Sequence, residues 1–422
     1  MARLFSGLWK HPDFMKLWIG QTISEFGSRI TREGLPLAAV LVLNATPAQL
    51  GVLRAVSSLP VLLLGLLAGV WVDRARRRPI MIFCDVARLV LLMSIPLVAV
   101  TGYLSIELIM IVSALTAVFG LFFDIAYRSL LPSLVSREHL VDANTKLATT
   151  DSLAEIGGPA IAGVLIQIMT APLAIFFDAV SFLFSAVSFW LIRTPEPVPP
   201  RLVTESASAV QATLRDLAEG IKTLWRDPVL RTLAITMAMR SFFGSFIGVL
   251  YEVYAIRELG LSPALVGLTI AFGGVGALIG SLLAGWLPKR ASLGRVLVGA
   301  LLASGLVNLL IPLAGGEPMM AAAVLIMAQI IGDAAMMIYF INEMSLRQMR
   351  VPDHLLGRVN GSIGFLAEGV SPFGALIAGG LAALINVRLT LVIAVVGILA
   401  AAGLVWLSPV RQLMNMSEKI TA

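Results

Sequence analysis

The chain has 422 residues, of which 58% are hydrophobic and 13% charged, and its mean hydropathy is +0.92. Soluble domains carry roughly half apolar and a quarter charged residues, so this composition predicts an integral membrane protein. The formal net charge of +6 reflects basic links between apolar runs, which set membrane topology, and we do not expect nucleic-acid binding. The single cysteine excludes an intramolecular disulfide, and three scattered histidines give no metal cluster.

Twelve apolar runs are long enough to cross a bilayer, which takes about 20 residues. These runs cover residues 14–43, 48–72, 79–101, 105–128, 149–169, 172–193, 229–256, 263–287, 294–314, 318–342, 360–385 and 388–408. A polar, proline-rich segment separates the sixth run from the seventh. The predicted fold is therefore an all-α membrane protein with two six-helix bundles, residues 1–193 and 229–422, a linker at 194–228 and a short tail.

The basic residues predict which ends of the helices face the cytoplasm. If the N-terminus and the linker share a side, about two dozen Lys and Arg fall in links on that side, against Arg257 and Arg388 on the other. Both termini are therefore predicted to be cytoplasmic. The first apolar run is too long for a signal peptide, so we expect it to be a retained helix.

The two halves of the sequence repeat. Gly69 is matched by Gly285 at an offset of 216 residues, and the Leu-Ala-Glu sequence that ends at Glu155 returns at Glu368. A parallel repeat of two six-helix halves is the architecture of transporters whose substrate crosses where the halves meet. The repeat thus predicts transport of a small-molecule substrate across the bilayer.

The segment from Gly69 to Arg78 carries one aspartate and four arginines between two apolar runs, so it must turn in water at a membrane face. It resembles the signature of the major facilitator superfamily, which reads Gly, three residues, Asp, basic, any, Gly, basic, basic. Arg76 departs from the signature, because glycine is expected there. The resemblance extends over essentially the whole chain and implies the twelve-helix fold of that superfamily.

The resemblance also implies a gate. Its expected residues in this turn are Gly69, Asp73, Arg74, Arg77 and Arg78. By analogy the Asp73 carboxylate caps a helix that begins near Asn360, where it is stabilised by the positive helix end and latches the two halves. The arginines have a simpler alternative role as topology determinants that contact lipid headgroups.

Shorter stretches, among them residues 123–127 and 357–360, resemble bacterial drug exporters that include enterobactin and macrolide efflux proteins. This resemblance implies proton-driven export of drugs or siderophores by a monomer in the bacterial cytoplasmic membrane. Gly158, Pro159 and Gly163 resemble the antiporter signature of the fifth helix. They are matched in the second half by Pro372 and Gly379, and both prolines are predicted to bend their helices.

Polar residues at helical spacing mark one face of the first helix: Gln21, Glu25, Ser28 and Arg32. A carboxylate facing lipid costs several kcal/mol, so this face must point into protein or water. Glu25 is a candidate for substrate or proton coupling, together with Gln21 and Arg32. The alternative is a self-neutralised ladder, because Arg29 lies four residues from both Glu25 and Glu33.

Arg240 lies at the repeat position of Ser24, beside Glu25. We therefore expect Arg240 and Glu25 to approach each other in at least one state, as a pair that substrate or proton binding would release. Asp124 and Asp333 are further coupling candidates that could meet a cation.

The remaining intramembrane features are expected to be structural. Asp85 and Arg88 should pair at i,i+3, and Asp178 should serve structure. Gly65 with Gly69, and Gly276 with Gly280, have the spacing that lets helices approach closely.

Two other classes of function stay open. One is a lipid or lysolipid flippase, or a metabolite transporter, on the same fold. The other is a membrane sensor or enzyme, but the chain has no His-Glu-x-x-His, Gly-x-Ser-x-Gly or Gly-x4-Gly-Lys motif. We therefore expect neither an enzyme nor a bound cofactor or metal.

Overall fold

In the computed structural model, which describes residues 8, 11–196 and 206–413, every regular element of the described residues is a helix. The α-helices are α1 Pro12–Leu41, α2 Pro47–Asp73, α3 Arg77–Thr101, α4 Ile106–Leu134, α5 Leu140–Met169, α6 Ala171–Trp190, α7 Ser206–Arg226, α8 Pro228–Val253, α9 Pro263–Ala284, α10 Leu293–Asn308, α11 Leu310–Leu313, α12 Pro318–Arg350, α13 Asp353–Leu384 and α14 Val387–Leu407. A π-helical turn, Tyr254–Glu258, extends α8.

Eleven spans among the described residues are long and apolar enough to cross a membrane. Together with α1 they account for the twelve predicted helices. The 30 residues of α1 measure about 45 Å, which is enough to cross, but its charged residues lower its hydropathy. It packs against α5 and α6 inside the protein. The predicted all-α membrane fold is confirmed.

Four helices run more than one turn past their predicted ends: α4 and α12 at their C-termini, and α5 and α13 at their N-termini. These predicted ends were wrong because an apolar run stops where charged residues begin. Helical hydrogen bonding does not depend on hydropathy and continues into the charged sequence. All four extensions lie at the ends that meet the basic links.

The described contacts divide the chain into two compact units, Met1–Ala45 with Val56–Gln211 and Thr46–Ala55 with Ala212–Ala422. In the first unit, α1 packs on α5 and α6, and α3 packs on α4 and α6. Its core contains Phe14, Met81 and Phe123. The predicted boundaries at 193 and 229 stay a prediction.

In the second unit, α8 packs on α13 and α14, and α12 packs on α9 and α10. The contact of α9 with α12 depends on Gly276 and Gly280, because a Cβ atom at either position would overlap the backbone of Ile330 or Ala334. The predicted close packing at these two glycines is confirmed. For Gly65 and Gly69 it was wrong, since the structure leaves open space beside both.

The described part of the linker contains one helix, α7, which packs on the start of α13 in the second unit. The Arg358 guanidinium lies 2.9 Å from a carboxylate oxygen of Asp216 and 2.5 Å from one of Glu219. Gly220 permits the close approach, because a Cβ atom there would overlap the Arg358 carbonyl oxygen. Ion pairs and a close backbone contact therefore hold α7 against α13.

Candidate functional site

The basic turn between α2 and α3 is formed without the glycine of the family signature. Asp73 ends α2 and Arg77 begins α3. Between them Arg76 has φ −67° and ψ 126°, an extended conformation that any L-residue adopts. An arginine is therefore tolerated at this position without backbone strain.

A carboxylate from the linker caps α3. Glu196 accepts hydrogen bonds from the backbone N–H groups of Arg77 at 2.5 Å and Arg78 at 3.2 Å. These first N–H groups have no partner inside the helix, and a negative charge is favoured at this end. The Arg78 guanidinium also donates to the Trp190 carbonyl oxygen at 2.5 Å. The turn is thus fastened to the end of α6 and the start of the linker, a contact that sequence reasoning missed.

The other predicted gate residues are placed as follows. Gly69 faces open space and Arg74 is exposed, while the side chain of Asp73 lies outside the described part. Helix α13 begins at Asp353, so Asn360 lies in its interior. The predicted helix end near Asn360 is therefore wrong, and the gate role of these residues stays a prediction.

A polar seam joins α1 to α5. The Trp18 Nε1–H group donates to Thr150 Oγ1 at 3.1 Å. Further along α1, the Arg29 guanidinium makes a close ion pair with Glu155, and a guanidinium nitrogen of Arg32 lies 3.8 Å from the same carboxylate. Glu155 therefore joins two arginines of α1 to α5 within the membrane-spanning part of the first unit.

Gly158 makes this seam possible. A Cβ atom at Gly158 would overlap the Cβ and Cγ atoms of Arg29. The absence of a side chain at Gly158, one helical turn after Glu155, therefore leaves the space that the Arg29 side chain occupies. Pro159 follows inside α5. The antiporter-like motif therefore has a packing role, and the bend predicted at Pro159 stays a prediction.

The matching residues of the second unit lie in α13. Pro372 is buried inside the helix. Gly379 packs against Gly51, whose Cα atom lies 3.0 Å from the place of a Cβ atom at Gly379. Gly163, in the first unit, is buried in α5. The predicted bend at Pro372 likewise stays a prediction.

The predicted polar face of α1 runs from buried to exposed. Gln21 is 5% exposed, whereas the side chains of Glu25 and Arg32 are 35% and 51% exposed. The guanidinium of Arg29 lies 4.0 Å from Glu25, and its closer partner is Glu155. Pairing within α1 is therefore secondary to pairing with α5, and Glu25 keeps access to solvent or substrate.

A second charged cluster is buried between α3, α4 and α6. Asp85 and Arg88 form the predicted pair at 2.5 Å. The Arg88 guanidinium lies between the rings of Phe123 and Phe182, 4.4 and 4.1 Å from their centroids, which is cation–π geometry. Asp178 is 1% exposed and accepts a hydrogen bond from Ser181, which lies 3.0 Å away. Both predicted structural roles agree with this burial.

The second unit contains a cavity of about 170 Å³ lined by Arg240, Tyr339, Glu343 and Glu368. The Tyr339 hydroxyl and one carboxylate oxygen of Glu343 are buried without a hydrogen-bond partner among the described residues. The other oxygen of Glu343 lies 3.4 Å from Arg347. Buried polar atoms are nearly always satisfied, so this cavity is suited to a water or to a polar group of a ligand.

The Leu-Ala-Glu repeat relates this cavity to the seam of the first unit. Glu155 and Glu368 end the repeated sequence in α5 and α13. In the first unit Glu155 is paired with Arg29 of α1. In the second, Glu368 and Arg240 line one cavity, and no ion pair joins them in the part of the chain described. In the first unit the arginine and the glutamate therefore form an ion pair, which we call closed. In the second unit they line a cavity without forming a pair among the described residues, which we call open.

The other two coupling candidates lie near the first two without forming a close ion pair with them in the described part of the chain: the charge of Asp333 acts on Arg240, and that of Asp124 on Glu25. Asp124 is exposed on α4, and Asp333 of α12 packs against Gly273 of α9. Across the described residues no group of three or more His, Cys, Asp or Glu could hold a metal ion. Sequence reasoning named Arg240 and Glu25 as candidates but missed Glu155, Tyr339 and Glu343, although the Leu-Ala-Glu repeat pointed to Glu155.

Residues 17–375 match the Major Facilitator Superfamily, and the chain belongs to that superfamily. The multidrug efflux pump Tap of Mycolicibacterium fortuitum is 26% identical over 367 residues, which cover 84% of this chain and 86% of that protein. Macrolide efflux protein A of Streptococcus pyogenes is 23% identical over 368 residues, covering 86% and 88%. The predicted resemblance to bacterial drug exporters is confirmed.

Solved transporters share the fold. A bacterial homologue of the iron transporter ferroportin, in its inward-facing state, superposes with a TM-score of 0.74 at 18% identity, covering 93% of this chain and 98% of that one. The nucleoside transporter NupG gives 0.75 at 12% identity over 93% and 98%. The protein is therefore a multi-pass membrane transporter and not an enzyme, and it acts on small molecules.

Proposed function

We propose that this transporter exports small amphipathic compounds, drugs or siderophores, in exchange for protons by alternating access. It would act as a monomer in the bacterial cytoplasmic membrane with both termini in the cytoplasm. The proposal is supported by relatives named as a multidrug efflux pump and a macrolide efflux protein. It is supported as well by ionisable groups inside membrane-spanning helices, which commonly lie on substrate or proton paths.

The observation that carries the proposal is the contrast between the closed pair Arg29–Glu155 and the open arrangement of Arg240 and Glu368. A charge in a membrane interior needs a partner, and the cost of leaving it alone is several kcal/mol. Arg240 makes no close ion pair among the described residues, and the more distant charge of Asp333 on α12 acts on it favourably. A substrate group or a change in protonation that supplies or removes a partner would therefore shift the equilibrium between states.

Glu25 supplies the second part of the proposed switch. Its carboxylate is partly exposed and 4.0 Å from the nearest guanidinium, that of Arg29, so it is open to a proton or a cationic group. We retain the hypothesis that Glu25 and Arg240 approach each other in one state. Proton binding to Glu25 would then weaken that approach and favour the other state.

The test is intracellular accumulation of a panel of dyes, macrolides and siderophores in an efflux-deficient bacterium. The bacterium expresses the wild type, Glu25→Gln, or the control Glu138→Gln at matched membrane levels. Glu138 is an exposed carboxylate in the link before α5. We expect the wild type and the control to lower accumulation of at least one compound and Glu25→Gln to lose this effect.

A second readout tests coupling. In proteoliposomes, an imposed pH gradient should drive uptake by the wild type, and Glu25→Gln should respond weakly to the gradient. If Glu25→Gln keeps both transport and its pH dependence, the coupling role of Glu25 is wrong. If no compound responds to the wild type, drug export is abandoned in favour of lipid, lysolipid or metabolite substrates on the same fold.

A further inference from the structure

Arg76, the residue that departs from the family signature, lines a wide cleft at the basic end of the first unit. The cleft measures about 740 Å³. Its charged wall is formed by Arg76, Arg78, Arg193 and Glu196, and its apolar wall by Ile82, Phe83 and Val86 of α3. Such a cleft is amphipathic, with positive charge at the membrane face and apolar surface directed along the helix.

A second, almost entirely apolar cleft adjoins the first. It measures about 550 Å³ and lies among α2, α3 and α4. Aromatic side chains line it: Trp71, Phe83, Phe119 and Phe122. Pro79 and Phe83 line both clefts, so the charged and the apolar cleft lie side by side against the same two residues, and the two together are called the groove below.

The charged groups around the groove differ in whether they already have hydrogen-bond partners. Glu196 is occupied by the N–H groups of Arg77 and Arg78, and the Arg78 guanidinium donates to Trp190. Arg76 and Arg193 are exposed, and their guanidinium groups make no hydrogen bond or ion pair within the described residues. Two guanidinium groups therefore remain available at the mouth of the groove, where a phosphate would be bound by charge-assisted hydrogen bonds.

The apolar half of the groove is accessible from the bilayer. Trp71 is 63% exposed and Phe83 is 64% exposed, and tryptophan at the end of a membrane-spanning helix is typical of the lipid–water interface. A ligand that fills both halves needs an anionic head and an apolar chain. A soluble phosphate compound would leave the aromatic cleft empty.

We propose that this groove binds one anionic glycerophospholipid, with its phosphate against Arg76 and Arg193 and an acyl chain among the aromatic residues. The site lies within the first unit beside the predicted gate residue Arg78, and it does not include Glu25, Arg240 or the Arg29–Glu155 pair. It gives Arg76 a role that the family signature, with glycine at this position, does not supply.

Native mass spectrometry of the delipidated protein tests the proposal. The probes are phosphatidylglycerol and phosphatidylcholine with identical acyl chains, together with glycerol phosphate. The variants are the double substitution Arg76→Gln/Arg193→Gln and, as a matched control, Arg215→Gln/Arg226→Gln, two exposed arginines of α7. Each basic residue near an anionic lipid surface contributes about fivefold in affinity, so the first double variant should weaken phosphatidylglycerol binding by about 25-fold.

We expect the wild type and the control to prefer phosphatidylglycerol to phosphatidylcholine, and Arg76→Gln/Arg193→Gln to bind both equally. Phe83→Ala should reduce the dependence of affinity on acyl-chain length. Equal binding of both lipids by the wild type, or an unchanged preference in Arg76→Gln/Arg193→Gln, would overturn the proposal. So would glycerol phosphate binding as tightly as the lipid. If the double variant does not fold, each single arginine variant should show about half of the effect on a logarithmic scale.

Discussion

Arg29 of α1 reaches across to Glu155 of α5 and makes its close ion pair there, while Glu25, one turn away on its own helix, lies 4.0 Å from the same guanidinium. Gly158 provides the space for this contact. The first unit therefore holds α1 and α5 together by a charge pair within its membrane-spanning part. Because Arg29 pairs closely with Glu155, its interaction with Glu25 is weaker.

The pairing of Arg29 with Glu155 predicts a measurable coupling energy. In a double-mutant cycle of Arg29→Gln and Glu155→Gln, we expect about 1 kcal/mol, since half of the Glu155 side chain is exposed and solvent screens the pair. Denaturant unfolding in detergent micelles supplies the free energies. The matched cycle of Arg29→Gln with Glu25→Gln should give a smaller value. An equal or larger value would mean that the α1 pair dominates.

The packing of α9 on α12 predicts that Gly280 cannot accept a methyl group. Its added Cβ atom would lie 2.8 Å from the Cα atom of Ala334, and overpacking of this kind costs about 1–3 kcal/mol. Gly280→Ala should therefore lower the melting temperature of the purified protein. Gly65→Ala is the control, because open space surrounds Gly65 and alanine favours a helix by up to about 1 kcal/mol. A neutral Gly280→Ala would contradict the packing.

The pH dependence of stability should reveal Asp227, which caps α8 and lies 2.5 Å from the Arg350 guanidinium. Burial raises the pKa of this carboxyl, but hydrogen bonds from Arg350 and from the backbone N–H groups of Leu230 and Val229 outweigh it, so the pKa falls below 3.8. A lowered pKa stabilises the fold above the unfolded-state pKa, and the contribution is lost as pH falls through the folded-state pKa.

Asp227→Asn keeps a capping oxygen but loses the charge, so it isolates the ion pair with Arg350. We expect it to cost up to about 1 kcal/mol at neutral pH. This difference from the wild type should persist down to about pH 4 and shrink below it. Thermal unfolding in detergent at a series of pH values provides the comparison. A difference that grows towards low pH would mean that the carboxylate destabilises the fold.

The docking of α7 predicts a local response to Arg358→Gln. Loss of the two ion pairs to Asp216 and Glu219 should increase hydrogen exchange in α7 while leaving global stability within about 1 kcal/mol, because these pairs are partly exposed. Arg215→Gln, on the exposed surface of α7, is the control. Unchanged exchange in Arg358→Gln would show that apolar packing at Leu224 is sufficient to hold the helix.

The number and order of the membrane helices were predictable from the sequence, because a span needs a long apolar run and leaves a clear trace in composition. Helix ends such as Arg350 and Asp353 were not, since helices continue into charged sequence. Among the charge pairs, too, some could be predicted from the sequence and others could not. Asp85 and Arg88 lie on one helix and follow from spacing, whereas Arg29 and Glu155 lie on two helices and depend on how α1 packs against α5.

Glycine spacing was an ambiguous signal for the same reason. The pattern is identical at Gly65 with Gly69 and at Gly276 with Gly280, but it only permits close approach. A neighbouring helix backbone must also be present, and the second pair has one in α12 while the first faces open space. The spacing of residues along the sequence did not indicate cavity residues such as Tyr339 and Glu343.

The contact of α9 with α12 has a mechanical consequence. Because Gly276 and Gly280 place the α9 backbone directly against the α12 backbone at Ile330 and Ala334, rotation of α9 about its axis would turn a bulkier side chain into α12. We therefore expect α9 and α12 to move together during any rearrangement of the second unit. A spectroscopic label on the exposed Leu282 of α9 would then report the displacement of Tyr339 and Glu343 on α12, without disturbing the cavity that they line.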